Sequence, residues 1–458
     1  MKTIEDFRTK AKRFMDAETM AAEYLAAYFD NQTICYPISP FKMLKDEGVH
    51  FLIQNYSKLE GVYIPASDEK DVAVVGINAN RAITRQRFTA AHELCHHFRD
   101  ADKQVACPIG TNNEIESFAE AFAAAVLMPL QELKYKIAEY KDDTGNVSFD
   151  GVLEIADYFG VSFEACLSRI AYKFHAIEGD IRWEELKMRK RKYKPDKKRE
   201  KRGMTYANLY ADLIDNYEDG LRFVPNDFAK NIFVNTYIYN DSRMEGLDVT
   251  LQQASEIVTD LRMNTQNSDY CDEVHEPYMS IAGHYLMYRH IFELPVKDKI
   301  SIYDMLSLNK NLFAYYPHPE FGGNPRQNNV LVIGAKFETV DYHDIFGELE
   351  ELDLEIKNFF SNKRRFCFSE YIKHVARIHH RLTVIHPFPE GNGRTTRAFM
   401  NVQLVRAGIS PLYIKVGEKK KYIKALEIAD TRKDYEPLYE IIFKVILRCS
   451  AELSSNYI

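Results

Sequence analysis

Between two stretches of helical apolar periodicity lies the turn His386-Pro387-Phe388-Pro389-Glu390-Gly391-Asn392-Gly393-Arg394-Thr395-Thr396-Arg397. Ahead of it Phe368, Tyr371, Ile372, Val375, Ile378, Leu382 and Ile385 trace a buried stripe, and behind it come Phe399, Val402, Leu404 and Val405. A loop gripped by two packed helices is preorganised, so the residue types within it matter. Gly391 and Gly393 have no side chains, and their backbone N–H groups can close on an anion at the positive end of the following helix. Arg394 and Arg397, at i and i+3, share a helix face and can fork onto phosphate oxygens. Glu390 is a hard oxygen ligand suited to a Mg²⁺ that bridges nucleotide phosphates. A neutral His386 imidazole could take a proton from a hydroxyl approaching phosphorus. The plain alternative is a glycine-rich turn with an incidental histidine.

This dodecamer resembles the Fic signature, H-x-F-x-[D/E]-G-N-G-R-x-x-R, and the resemblance runs over the carboxy-terminal part of the chain. It implies transfer of AMP from ATP to a Ser, Thr or Tyr hydroxyl of a target protein, with pyrophosphate leaving. His386 would be the base and Glu390 the ligand of the Mg²⁺ that accompanies ATP. Gly391, Asn392 and Gly393 would cradle phosphate, while Arg394 and Arg397 hold the outer phosphates. Other Fic-type transfer, or removal of AMP, is the alternative. Upstream, Asp241-Ser242-Arg243-Met244-Glu245-Gly246 is similar to the inhibitory motif [S/T]-x-x-x-E-[G/N] of some Fic proteins, in which the glutamate pairs with the second loop arginine. That pair would be Glu245 with Arg397. Asp241 departs from the Ser/Thr position, where it could still cap a helix. Asn329 to Val340, two β-rich runs around a Gly-Ala turn preceded by Gly322-Gly323-Asn324-Pro325-Arg326, resembles the Fic flap, a hairpin that holds a target segment by strand addition.

A chain of 458 residues exceeds what a single core usually spans, so two or more domains are expected. Overall charge is −7, yet residues 187–202 hold eleven Lys or Arg and two acids, a local +9. This step marks a boundary and divides the chain into residues 1–185, a basic linker at 186–204, and residues 205–458, opened by an amphipathic helix through Tyr206, Leu209, Tyr210, Leu213, Ile214 and Tyr217. Such a run self-repels and stays solvated, and a spacer is preferred over a nucleic-acid contact or a protease-sensitive hinge. The seven cysteines are scattered without a C-x-x-C pair, which fits a reducing compartment. No apolar run spans a bilayer and no signal-peptide core opens the chain, so a cytoplasmic protein without a membrane partner is expected.

The amino-terminal part starts with helical periodicity to about Phe29. Short β-rich runs follow at 49–53, 62–65 and 72–77, the strands of a small sheet. Next comes His92-Glu93-Leu94-Cys95-His96, which is H-E-x-x-H in a segment without Gly or Pro. On a helix His92 and His96 lie one turn apart and can both reach one Zn²⁺, while Glu93 can deprotonate a water beside the open coordination position. Glu116 is the best candidate for a third ligand, with Glu120, one turn on, competing. The order of elements, with R-F-T-x-A-H-E-L-x-H and then E-x-x-A-x-x-F-A-x-x-x-L-M-P, resembles the ImmA/IrrE-like metallopeptidases. It implies a zincin-like α+β domain with His92, His96 and Glu116 as zinc ligands and Glu93 as base. Cys95 stands where that family usually has Gly, and a small packing role is expected for it. Val152 to Ile170 reads as helix, glycine turn, helix, with few side chains able to read a groove edge, so a structural role is expected.

Together these readings describe an α+β metallopeptidase domain followed by a mainly α Fic domain with a small β-hairpin flap. The expected protein is a bacterial-type regulator or toxin: a self-restrained adenylyltransferase fused to a zinc endopeptidase that cuts a repressor-type protein. A non-enzymatic rival has both sites decayed into binding modules, with the basic linker docking DNA.

Overall fold

Side-chain caps set where many of the helices begin. In the computed structural model, which describes all residues except 1–2, 15, 31, 69–70, 102–103, 109–113, 224–226, 264–275, 294–298, 333–335 and 455–458, Thr3 forms a capping box on α1 (Ile4–Lys10) and Asp16 caps α2 (Ala17–Phe29). Ser39 caps α3 (Pro40–Asp46), where Pro40 holds the first helical position without losing a needed N–H. The chain divides into two compact bodies, residues 1–217 and 218–458.

In the first body a four-stranded sheet has the order β1-β3-β2-β4, built from β1 (His50–Gln54), β2 (Leu59–Ile64), β3 (Val74–Asn78) and β4 (Val105–Pro108). β1 runs parallel to β3, and β2 is antiparallel to both β3 and β4. The three expected strands are present with bounds shifted by a few residues. β4 escaped the sequence reading because so brief a run ending in proline carries little strand signal. α4 (Ile83–Arg99) lies across β2 and β3, and α5 (Glu114–Leu127) packs on α4 and α2 through its small residues Ala119, Ala123 and Ala125. α6 (Leu130–Tyr140) leads to α7 (Phe149–Phe159) and α8 (Phe163–Arg169), separated by Gly160 in the left-handed conformation. The apolar faces of α7 and α8 are buried in the core of this body, as a structural helix-turn-helix requires.

The basic run differs from the expected solvated spacer. It forms α9 (Trp183–Tyr193) and α10 (Pro195–Arg202), with Lys194 in the left-handed region between them and Pro195 opening the second helix. Acids of α7 and α8 answer part of the charge: Arg199 reaches Asp157 at 2.7 Å, Arg202 reaches Glu154 at 2.7 Å and Asp150 at 3.0 Å, and Lys190 pairs with Glu164. Exposed pairs contribute at most about 1 kcal/mol each. Burying Leu186 contributes about 1.5–3 kcal/mol and the Tyr193 ring stacks on Phe163, so apolar contact fixes these helices and the charges register them. Local charge counting could not see the opposing acids. α11 (Ala207–Asn216), expected to open the second domain, also belongs to the first body: buried Arg87 reaches Asp212 at 3.4 Å, and the Tyr217 hydroxyl accepts from the Ile53 N–H at 3.2 Å. An amphipathic stripe announces a buried face without naming what it is buried against.

The second body is built of helices: α12 (Glu218–Leu221), α13 (Asp227–Met244), α14 (Leu251–Met263), α15 (Glu276–Glu293), α16 (Ile302–Leu312), α17 (Ile345–Ser361), α18 (Phe368–Ile385), α19 (Asn392–Arg406), α20 (Lys419–Arg432) and α21 (Glu436–Ser454). α19 is central, packed by α18, α16 and α15, and almost every residue from Arg394 to Leu404 is buried. The tip of the expected flap, 333–335, lies outside the described residues. Its described flanks run side by side, with Thr339 Oγ1 donating to the Val330 carbonyl at 2.7 Å, and carry no strand ladder.

Candidate functional site

In the first body, α4 places His92 and His96 one turn apart and α5 carries Glu116 alongside. The His92 Nε2 to Glu116 Oε2 distance is 3.2 Å, His96 Nε2 to Glu116 Oε1 is 3.8 Å, and the two Nε2 atoms are 3.1 Å apart. All three residues are buried, and one ligand atom from each lies within 4.8 Å of the others. Two imidazole nitrogens and a carboxylate oxygen converging in this way fit a tetrahedral zinc with one open position. Glu120 is exposed and stands outside the cluster.

Asp100, which the sequence reading missed, sets the tautomer of His96. Its Oδ2 lies 2.8 Å from His96 Nδ1, so the Nδ1–H donates to the carboxylate and Nε2 faces the cluster. The signal was available, since Asp100 is one turn beyond His96 on the same face. Glu93 is fully buried against β2, where a Cβ on Gly61 would fall 2.4 Å from Glu93 Oε1 and 2.5 Å from Thr89 Cγ2. Only glycine admits α4 this close to the strand. Cys95 is buried, and burial pushes its thiol pKa up, so it packs as a neutral side chain.

In the second body the turn between α18 and α19 is tied from several sides. His386 ends α18 in the left-handed region, φ 50°. Its Nδ1 faces the Thr383 carbonyl at 3.4 Å, which leaves Nε2 as the ring nitrogen available to accept a proton. Burial, with the charge of Arg326 adding to it, holds the His386 pKa below the usual imidazole value. Buried Arg326 spans the site: its backbone N–H donates to Pro387 O at 2.8 Å, and its guanidinium donates to His386 O at 2.8 Å, to Asn328 O at 2.7 Å and to Val340 O. It thereby ties the flap flanks to the turn. Asn392 brackets Phe388, accepting from its N–H at 2.9 Å and donating to its carbonyl at 2.7 Å. Its side chain therefore locks the turn, and only its backbone N–H is left for a cradle. Asn309 adds bonds to Glu390 O at 3.2 Å and Thr395 Oγ1 at 3.0 Å.

The cradle itself is small. Gly391 has φ +77°, and a Cβ there would meet Leu312 at 2.8 Å and Phe313 at 2.9 Å, so glycine is required twice over. A Cβ on Gly393 would lie 2.8 Å from Glu245 Oε1, so the Glu245 carboxylate already rests over the mouth of α19, where an anion is favoured. Arg394 donates to Ser280 Oγ at 2.9 Å, while its Nε is buried without a hydrogen-bond partner among the described residues. Beside it opens a pocket of about 510 Å³ lined by Asn309, Phe313, Tyr316, His318, Glu390 and Arg394. An unsatisfied guanidinium donor, first-turn amides and an exposed carboxylate fit a phosphate group with its Mg²⁺.

Arg397 is taken up by two acids. Its Nη2 reaches Glu245 Oε1 at 2.5 Å, and its Nε donates to Asp241 Oδ1. Asp241 is not the helix cap its motif position suggested. It lies inside α13, 3% exposed, and accepts from His284 Nε2 at 3.0 Å through its other oxygen. Spacing alone could not find this contact, because it depends on how α13 and α15 pack beside α19.

Residues 299–404 match the sequence model of the Fic/DOC family, and residues 45–171 match that of the IrrE N-terminal-like domain, Peptidase_M78. The chain is 30% identical over 206 residues to the protein adenylyltransferase Fic of Aedes aegypti, an alignment covering 45% of this chain and 39% of that protein. Against the protein of the same name from Drosophila erecta it is 32% identical over 209 residues, with the same coverage. The chain thus spans about two fifths of the length of the curated relatives it matches. Among solved structures, a Caenorhabditis elegans Fic-1 fragment aligns with a TM-score of 0.46 and 16% identity over 72% of this chain and 92% of that one. The chain carries an IrrE-like Peptidase_M78 domain followed by a Fic domain.

Proposed function

We propose that the second body transfers AMP from ATP to a Ser, Thr or Tyr hydroxyl of a target protein and is held in check by Glu245. The observation that carries this reading is the Glu245 carboxylate over Gly393 and on Arg397, an acid occupying a place built for phosphate. In the reaction the hydroxyl oxygen bonds to the α-phosphorus while the bond to the β-phosphate oxygen breaks, and pyrophosphate leaves with that electron pair. His386 Nε2 takes the hydroxyl proton, and its depressed pKa keeps it neutral and ready near pH 7. The amides of Asn392, Gly393 and Arg394 at the start of α19 hold phosphate oxygens, with the Gly391 turn giving them access. Glu390 would hold Mg²⁺, which when bound supplies charge that offsets the phosphates. Arg394 and Arg397 hold the outer phosphates, the latter only once Glu245 has withdrawn. No described helix is long and apolar enough to cross a membrane.

For the first body the proposal is a zinc endopeptidase acting on a regulatory protein, with His92, His96 and Glu116 as ligands. Zinc, when bound, supplies a Lewis acid for water and the scissile carbonyl. Glu93 takes the proton of the attacking water, and Asp100 keeps His96 in its ligating tautomer. Pairing of the basic helices with acids of α7 and α8 weighs against a DNA-docking reading of residues 187–202.

The test of the transfer reading is intact-mass spectrometry of full-length Glu245→Gly protein incubated with ATP and Mg²⁺. An AMP adduct on the protein itself or on added lysate proteins is expected, and it is absent from the variant that also carries His386→Ala. No adduct under any condition would overturn the reading.

A further inference from the structure

The geometry points to Asp241 as a positioning residue that presents Arg397 to the nucleotide, distinct in role from the restraint by Glu245. This rests on the transfer reading above. The two acids meet different parts of the guanidinium. Asp241 takes the Nε edge and Glu245 takes Nη2, so loss of one contact leaves the other intact. Their settings differ as well. Asp241 is 3% exposed in the last turn of α13, whereas the side chain of Glu245 is 33% exposed just beyond that helix, ahead of Gly246 with φ +90°. A partly solvated side chain just past a helix end, before a left-handed glycine, can move off at small cost, and a buried carboxylate held by two partners cannot.

Asp241 is itself held. His284 is fully buried, and burial depresses its pKa, so its ring is neutral. A carboxylate can only accept, so the His284 Nε2–H donates to Asp241 Oδ2 at 3.0 Å, and Nδ1 accepts from the Ser242 hydroxyl at 3.3 Å. Ser242 donates to His284 and His284 to Asp241, which also accepts from Arg397, so the bonds converge on Asp241 and link α13, α15 and α19. From the remaining side the Tyr422 hydroxyl, partnered by His379 Nε2, lies near Arg397. The guanidinium is oriented before any nucleotide arrives, and withdrawal of Glu245 exposes Nη2 without releasing Nε. Preorganised donors of this kind contribute most to a site that must hold a phosphate without rearranging.

The test compares full-length Glu245→Gly protein with the same chain carrying Asp241→Asn or Asp241→Ala, measuring binding of ATP and of AMP with Mg²⁺. A role through Arg397 loosens only the outer phosphates. ATP affinity should fall about tenfold or more for Asp241→Ala and less for Asp241→Asn, while AMP affinity is unchanged. Equal losses for ATP and AMP would reduce Asp241 to a structural residue. Unchanged ATP affinity, or tighter binding, would make it dispensable or a second restraint, and each result overturns the proposal. A second measurement needs no change at Asp241: a crystal structure of Glu245→Gly protein with ATP and Mg²⁺. Arg397 Nε should remain on Asp241 while Nη2 moves onto a phosphate oxygen, and a guanidinium that has left Asp241 contradicts the inference. If Glu245→Gly protein binds no ATP at all, the transfer reading fails first, a result distinct from either of these.

Discussion

Removing Glu245 and removing Asp241 should have unequal consequences for the stability of the Fic half, although both acids touch Arg397. Glu245 is a third exposed, and its loss leaves Arg397 still paired through Nε. Glu245→Ala should therefore cost about 0–1 kcal/mol, as for a partly solvated ion pair. Asp241 is 3% exposed, and its loss strips a buried guanidinium of its inner partner and leaves the His284 Nε2–H without its acceptor. Breaking a buried pair costs about 3–5 kcal/mol, and Asp241→Ala should sit near 3 because Glu245 still offers partial compensation. The chain has two bodies, so a global melting point would mix their transitions. Native-state hydrogen exchange read on peptides from α19 isolates the effect. Equal losses of protection in the two variants, or a larger loss for Glu245→Ala, would refute the reasoning.

Four further outcomes follow from the geometry. Gly61→Ala should displace Glu93 and Thr89 by forcing a Cβ to within 2.4 Å of the Glu93 carboxylate, so the variant is expected to be destabilised by about 1–3 kcal/mol, checked by hydrogen exchange of α4. Asp100→Asn should weaken zinc binding about 10- to 100-fold by loosening the His96 tautomer, measured by competition with a chelator, and Glu116→Ala should abolish stoichiometric zinc in elemental analysis. The acid limb of the transfer rate in Glu245→Gly protein should lie below the ordinary histidine value of about 6.5. His386 must be neutral to accept a proton, burial and Arg326 favour that neutral form, and rate is therefore lost only as pH falls through the depressed pKa. An inflection above 6.5 would contradict this.

Legibility in the sequence followed the range of the interactions. The Fic turn and H-E-x-x-H could be read because each concentrates its chemistry within one or two helical turns. The Glu245–Arg397 contact could be anticipated only through resemblance, since 152 residues separate the partners. The contacts made by Asp241, His284, Arg326 and Asn309 were invisible, because each depends on packing between segments far apart in the chain that no local pattern encodes. The basic run misled for the same reason: Lys190, Arg199 and Arg202 are answered by Asp150, Glu154, Asp157 and Glu164, which lie in other helices. Gly61 could have been read, because glycine inside a strand pattern marks close approach of a neighbour.

The most direct test follows the fate of each phosphate. Glu245→Gly protein is incubated with Mg²⁺ and ATP labelled on either the α- or the γ-phosphorus, and protein-bound label is counted with and without His386→Ala. The expected result is label from the α position alone, lost when His386 is replaced. Label from the γ position, or α-label that persists without His386, would contradict the assignment of this turn to AMP transfer.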